Sequence, residues 1–297
     1  MSMRKFSKFI AIIALFLMGA NTLNAQLNFL SGLEGGTYQA LANDIKGASK
    51  QEINVLTSQG SVDNYKRLIN ENNNIYVTFL QYDVLLANEL QNPDLRKNIR
   101  VLLPMFLDEE IQIITKKGSG IENLKDLRGK RVAVGTREQG TFVTAQTIKQ
   151  RTQTAWIDVV MNSNDAYKAL LKGDIDAYFY VGGVPVASLV ALGKDAPIQL
   201  VNIKSKALSD IYTSKKIRKG AYPWQTTTVK TFAVPTIVAV NIKDMSKDTQ
   251  RKLNQLLKDT EKGLKGFQKT GHPKWKDVST RNQAIDWPFY YMRPVVD

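Results

Sequence analysis

The chain contains no cysteine among its 297 residues. Disulfide stapling, thiol nucleophiles and Cys-ligated metals are therefore excluded. Histidine is nearly absent too: His272, in "KTGHPKW", is the only one. A Ser-His-Asp arrangement would have to use it, and a lone His before Pro reads as a turn or surface residue. A His/Cys metal cluster cannot be built, so no metal and no cofactor are expected. Acids are in deficit, 27 against 41 Lys and Arg, for a formal charge of +14. The bases are scattered and do not cluster with aromatics, which excludes a nucleic-acid partner and reads as a solvated face. Long apolar runs are missing, with one exception at residues 9–18. Arg4, Lys5 and Lys8 precede that run, and "GANTLNA" follows it up to Gln26. A basic region, a short apolar region and a small residue at Ala25 predict a secretory leader over residues 1–25, cut near Ala25, and a periplasmic protein. The run is too short to span a bilayer, and without a Cys at the cut there is no route to a lipid anchor.

What is present is a pattern that occurs twice. "LNFLSG", "EINVLTSQG" and "IYVTFLQYD" alternate with helical spacing, as do "KRVAVGTREQ", "WIDVVMNS" and "IDAYFYVGG". Strand starts near Asn28, Ile53 and Ile75 are answered near Val132, Ile157 and Ile175. Each set reads βαβαβ, the unit of parallel sheets. Val62, Tyr65, Leu68 and Ile69 share a helical face with Ser61 as N-cap, and Ala166, Leu170 and Leu171 share another that Gly173 closes. Leu253, Leu256, Leu257 and Leu264 predict a packing helix beginning at Ser246. Two long β-like segments lie outside the repeats, residues 109–118 and 232–241. Side by side they would join an α/β lobe of residues 26–108 and 236–297 to a second lobe of residues 109–235.

Ligands of open α/β sheets bind beyond the carboxyl ends of the strands. Six loops follow those ends: residues 31–38, 57–61 and 81–83 in lobe one, and 135–141, 162–165 and 180–185 in lobe two. They are rich in Gly, Ser, Thr, Asn and Gln, and three lead into helix N-termini that favour an anion. Facing each other, they would line one cleft. Tyr38, Gln81, Arg137 and Tyr180 are the residues that capping alone does not explain. Gly36 is expected to bring its backbone close to a ligand or to take a positive φ.

"SGLEGGTYQAL", "SQGSVDNYKRL", "VTFLQYDVLL", "SGIENLKDLRGKRVAVGTREQGT" and "LLKGDIDAYFYVGGVP" resemble the solute-binding proteins of TAXI-type TRAP transporters, from about residue 28 to about residue 240. The resemblance implies an α/β, two-lobed periplasmic-binding-protein fold of type II. Each lobe would be a βαβαβ unit, and two hinge strands would join them. It implies closure on a small organic anion, glutamate or another amino acid, a dicarboxylate or an oxoacid, delivered to a TRAP permease by a monomer. The site residues it carries over are Gly32, Gly35, Gly36, Thr37 and Tyr38, then Gly60, Ser61 and Asn64, then Gln81 and Asp83. From lobe two come Gly135, Gly140, Thr141, Gly182, Gly183 and Pro185. The sequence departs from the family pattern at Glu34, Gln39, Tyr82, Arg137, Glu138 and the ending "AIDWPFYYMRP".

Two charged residues leave two arrangements open. Glu34 could pair the amino group of a zwitterion while Arg137 grips its carboxylate, or the two could salt-bridge across the closed cleft. Rival functions are a periplasmic sensor using the same fold, and an enzyme with Glu34 and Asp83 as acid and base. The run Asp108-Glu109-Glu110 reads as a solvated face at the crossover.

Overall fold

The computed structural model describes residues 26–70, 74–89, 91–278 and 285–292, without the side chains of residues 103–107. The expected leader lies outside the described residues. Lobe one begins β1 (Leu27–Leu30), α1 (Thr37–Ala48), β2 (Ile53–Leu56), α2 (Ser61–Ile69), β3 (Val77–Gln81), α3 (Tyr82–Glu89) and the short α4 (Leu95–Asn98). The long β4 (Ile99–Lys116) crosses to lobe two. There follow β5 (Arg131–Ala133), α5 (Gly140–Thr152), β6 (Ile157–Val159), α6 (Ser163–Lys172), β7 (Ala177–Gly182), the short α7 (Ala187–Val190), β8 (Ile198–Leu200) and β9 (Thr213–Ile217). The long β10 (Val229–Asn241) returns to lobe one, where α8 (Lys247–Thr270) packs.

One continuous sheet results, ordered β2-β1-β3-β10-β4-β7-β5-β6, with β8 on β4 and β9 on β10. The repeats pair in parallel, β2-β1-β3 and β7-β5-β6, in matching order. The long strands run antiparallel to each other between them. On β10, Thr236 to Val240 pair with β3, whereas on β4, Glu110 to Thr115 pair with β7. The change from one lobe's ladder to the other therefore falls in the middle of both strands.

Period-two alternation gives each half-sheet two apolar faces. In lobe one, Phe29 and Phe79 join Leu41, Ile45 and Leu256 on one face, while Leu30 and Leu80 join Leu68 and Ile237 on the other. In lobe two, Ile113 and Phe179 pack with Val132 and Ile148, and Ile114 and Tyr178 with Leu170 and Trp224. Helix α8 starts as its residues predict, with Ser246 accepting from the Thr249 N–H, and buries Leu253, Leu256, Leu257 and Phe267. Gly173 closes α6 at φ 88°, as expected of a C-terminal glycine. Ser61 does not cap α2. Gly60 is the N-cap, and the Ser61 hydroxyl accepts from the Gln81 N–H at 2.8 Å. Leu171 and Ile69 lie on the exposed side of their helices. Among the described residues, no helix is long and apolar enough to cross a membrane.

Trp275 is fully buried beneath α8, with its ring 4.7 Å from that of Phe267 and its indole N–H on Asp44 at 2.7 Å. Removing it opens a cavity in the core beneath α8 and takes one of two hydrogen bonds from Asp44 Oδ2, which keeps the His272 N–H at 2.9 Å. Trp275→Ala is expected to cost about 3–5 kcal/mol, read as a lower midpoint in urea unfolding; a loss under about 1 kcal/mol would contradict this packing.

Candidate functional site

The two lobes meet over a cavity of about 120 Å³, and every one of the six loops contributes to its lining. From lobe one come Gly32, Leu33, Gly36, Thr37 and Tyr38, then Gln59, Gly60 and Ser61, then Gln81. Lobe two supplies Gly135, Gln139, Gly140 and Thr141, then Ser163, then Phe179 to Gly183 together with Val186. Glu109, on the crossing strand, completes it. The chain reaches this geometry because β1, β2, β5 and β7 all end at the same edge of the sheet, where each strand gives way to a glycine-bearing turn or a helix.

Tyr38, on the first turn of α1, stacks its ring on Phe79 at 4.9 Å. Its hydroxyl donates to Glu109 Oε2 at 2.8 Å. Gln81 Nε2 donates to the same oxygen at 2.7 Å, and Thr236 Oγ1 at 3.0 Å. Burial pushes the Glu109 carboxyl above its ordinary range, and these three donors pull the other way. Glu109 is 6% exposed and Asp108 4%, so the acidic run at the crossover is not the solvated face its composition suggests. The place of β4 explains this: it lies inside the sheet between β10 and β7, with lysine side chains on Asp108 and Glu110 and with Glu109 facing the cavity.

Of the residues expected in the site, Gly32, Gly36, Thr37, Tyr38, Gly60, Ser61, Gln81, Gly135, Gly140, Thr141, Tyr180, Gly182 and Gly183 line the cavity. Seven others stand outside it: Glu34, Gly35, Asn64, Tyr82, Asp83, Arg137 and Pro185. Glu34 is exposed at the loop tip, and Gly35, also exposed, takes φ 71° while its N–H donates to Gln39 Oε1. Arg137 is exposed, with its guanidinium 5.4 Å from the Phe142 ring centre. Among the described residues no ion pair joins Glu34 to Arg137, and neither side chain lines the cavity. Asn64 is fully buried behind the loops, donating to the Ser31 and Phe79 carbonyls at 2.7 and 2.8 Å, and so ties β1 to β3. Tyr82 packs edge-on against Trp287 in the core of lobe one, with its hydroxyl donating to the Asp286 carbonyl. Gly36 has φ −83°; what makes it glycine is crowding, since a Cβ there would lie 2.9 Å from the Leu33 carbonyl oxygen. Sequence reasoning missed Leu33, Gln59, Gln139, Ser163, Phe179, Val181 and Val186, which sit inside or beside loops it had singled out, and Glu109, whose signal was misread.

The lobes are drawn together. The N–H groups of Val62 and Asp63, at the start of α2, donate to the Glu138 carbonyl of lobe two at 3.0 and 3.1 Å. This helix terminus is therefore satisfied by protein and is not a free anion site. Gly60 takes φ 131°, and a Cβ there would meet the Gln139 Cα at 3.0 Å. At Gly140 a Cβ would fall 1.5 Å from Gln81 Oε1 and 3.1 Å from the Ser61 Cβ, so this close approach of the lobes requires a bare backbone.

Asp83 makes a further contact between lobes. It is 4% exposed, and its Oδ2 accepts from Thr144 Oγ1 at 2.7 Å and Tyr212 OH at 2.9 Å, both in lobe two. It does not line the cavity, and Glu34 does not either, so they form no acid–base pair there. Burial pushes the Asp83 carboxyl up to about 6, against the pull of those two hydroxyls. A raised acid binds its proton more tightly in the closed, folded form, so its contribution to stability is fully present below about pH 4 and is lost as pH rises through about 6. The thermal stability of the wild type relative to Asp83→Asn is expected to fall between pH 4.5 and 7.5, by up to about 3 kcal/mol. A difference independent of pH would contradict a buried, titrating Asp83.

Solved structures share this arrangement. An ancestral arginine-binding protein bound to arginine aligns with a TM-score of 0.51 at 15% identity, over 85% of this chain and 95% of that one. A periplasmic binding protein of high arginine specificity from Salmonella typhimurium gives 0.51 at 13% identity, over 85% and 96%. The effector binding domain of QuiR in complex with shikimate gives 0.51 at 9%, over 80% and 97%. At such identities the likeness speaks for the fold, a two-lobed α/β periplasmic-binding-protein fold. The NMT1-like family profile matches residues 29–285, and the chain belongs to that family.

Proposed function

We propose that the chain is a periplasmic solute-binding protein of the TAXI type, a monomer that captures a small polar ligand between its lobes and hands it to a TRAP permease. The observation that carries this reading is the cavity itself: six loops from two lobes converge on it, and the lobes touch around it through main-chain hydrogen bonds. Two α/β bodies on a pair of crossing strands can part by bending those strands, which is how a hinge admits a ligand. An arginine-binding protein and a periplasmic binding protein among the structural neighbours support the same reading. Among the described residues the lining offers one carboxylate, and its hydrogen bonds to Tyr38, Gln81 and Thr236 engage it in holding the site together, which favours binding over catalysis. A carboxylate of the ligand would rest on free N–H groups at the starts of α1 and α5. The expected organic anions, glutamate or a dicarboxylate, would have to use those same N–H groups.

Native mass spectrometry of the protein purified from an exporting host tests this. A small molecule is expected to copurify and to be released chemically unchanged on denaturation. Chemical conversion of the released or added compound would refute the binding reading in favour of an enzyme.

A further inference from the structure

We infer that the cleft takes a ligand carrying a cationic nitrogen, with a net charge of zero or above, and that Glu109 selects it. The inference rests on the solute-binding reading. Asp108, Glu109 and Glu110 are three successive acids on β4, and strand alternation turns the middle side chain away from the outer two. Both outer acids have their own lysine. Lys215 Nζ lies 2.6 Å from Asp108 Oδ2, and Lys274 Nζ lies 3.1 Å from each oxygen of Glu110. Among the described residues Glu109 has no such partner. Lys274 acts on it through space, but its hydrogen bonds go to Glu110 and Asp277.

The partners Glu109 does have are three neutral donors, Tyr38, Gln81 and Thr236, all on Oε2. Three donors on one oxygen stabilise the ionised form. They leave Oε1 with no protein hydrogen bond among the described residues. Gln81 Oε1 is also buried without a partner among the described residues, but it packs against the Gly140 backbone, where a Cβ would lie 1.5 Å from it, so it is not offered to a ligand. Glu109 and Gln81 both line the cavity, and among the described residues no Lys, Arg or His does. This end of the cleft is thus short of donors and short of positive charge. A buried carboxylate is stable only when a cation or enough donors match it, and an ammonium or guanidinium group supplies both.

A dicarboxylate would bring further negative charge beside Glu109 with only neutral groups to meet it. One carboxylate can lie at the helix N-termini, so a monocarboxylic amino acid or a simple amine fits. The second carboxylate of glutamate finds no cation in the lining.

Calorimetric titration of the protein purified from an exporting host decides this. The probes are the L-amino acids, putrescine, the oxoacids pyruvate, 2-oxoisovalerate and 2-oxoglutarate, and succinate. The tightest binder is expected to be an amine of zero or positive net charge. Its oxoacid counterpart, where one is in the set, should bind at least about 100-fold more weakly, and Glu109→Gln should weaken the amine by about 10- to 100-fold while melting cooperatively. Should Glu109→Gln fail to fold, the wild-type comparison of amine with oxoacid decides alone. Tightest binding by succinate, 2-oxoglutarate or glutamate, or an unchanged affinity in Glu109→Gln, overturns the inference and leaves the solute-binding reading standing. Binding by none of the probes overturns that reading, and this inference with it.

Discussion

The pairing of β4 with β10 is the constraint on which the rest of the molecule depends. Each strand belongs to both lobes, so each lobe's ladder is completed by residues that also belong to the other lobe's frame. The two strands run from lobe one's apolar faces, at Val101, Val238 and Val240, to lobe two's, at Ile111, Ile113 and Val234. Between these cores lies the stretch where polarity concentrates: Asp108, Glu109, Glu110 and Thr236. Burying three acids there is costly. The cost is offset by lysines that come from distant parts of the chain, Lys215 from β9 and Lys274 from the turn after α8. These ion pairs tie the strap of β9 and the C-terminal segment to the crossover, so the hinge is braced from both lobes.

That arrangement gives the cleft its character. Main-chain groups and small side chains make up most of the lining, which lets the two lobes approach within van der Waals contact at Gly60 and Gly140. Away from the cavity the lobes are held by polar contacts, Val62 and Asp63 to Glu138 and Asp83 to Thr144 and Tyr212, and by Val143 of α5, which packs against lobe one's apolar cluster. Polar contacts of this kind exchange with water at small net cost, about 0.5–1.5 kcal/mol each. A ligand of modest affinity can therefore tip the balance between parted and apposed lobes.

Much of the fold was legible in the sequence because its signals are local. Strand–helix alternation, the Ser246 and Gly173 caps, and the two long β segments each depend on neighbours within a few residues. The six loops were legible for the same reason, since topology alone puts the ends of parallel strands at one edge. Side-chain direction within a loop was not legible. Glu34 and Arg137 lie within the right loops but point to solvent, and nothing in "GLEGGTY" or "GTREQGT" distinguishes a residue at the tip from one at the floor. Asn64 was carried over from the family resemblance and Tyr82 stood out as a departure from it, yet Tyr82 packs in a core and Asn64 ties two strands together. Glu109 shows the converse failure. An acidic triplet ordinarily marks a wet surface, and only the lysines brought in from positions 215 and 274 reveal that it is buried. Such long-range pairing has no signature in a local stretch.

The central claim is that two lobes part and close on a ligand about the β4–β10 crossover. The absence of native cysteine makes the motion directly measurable, because a Lys66→Cys, Asn164→Cys double variant carries spin labels at only those two exposed positions, one per lobe. Electron–electron resonance distances between them, recorded on ligand-stripped protein and again with the copurified ligand restored, are predicted to shift from a broad, longer distribution to a single shorter one. An identical distribution in both states, with occupancy verified by mass spectrometry, would contradict the account.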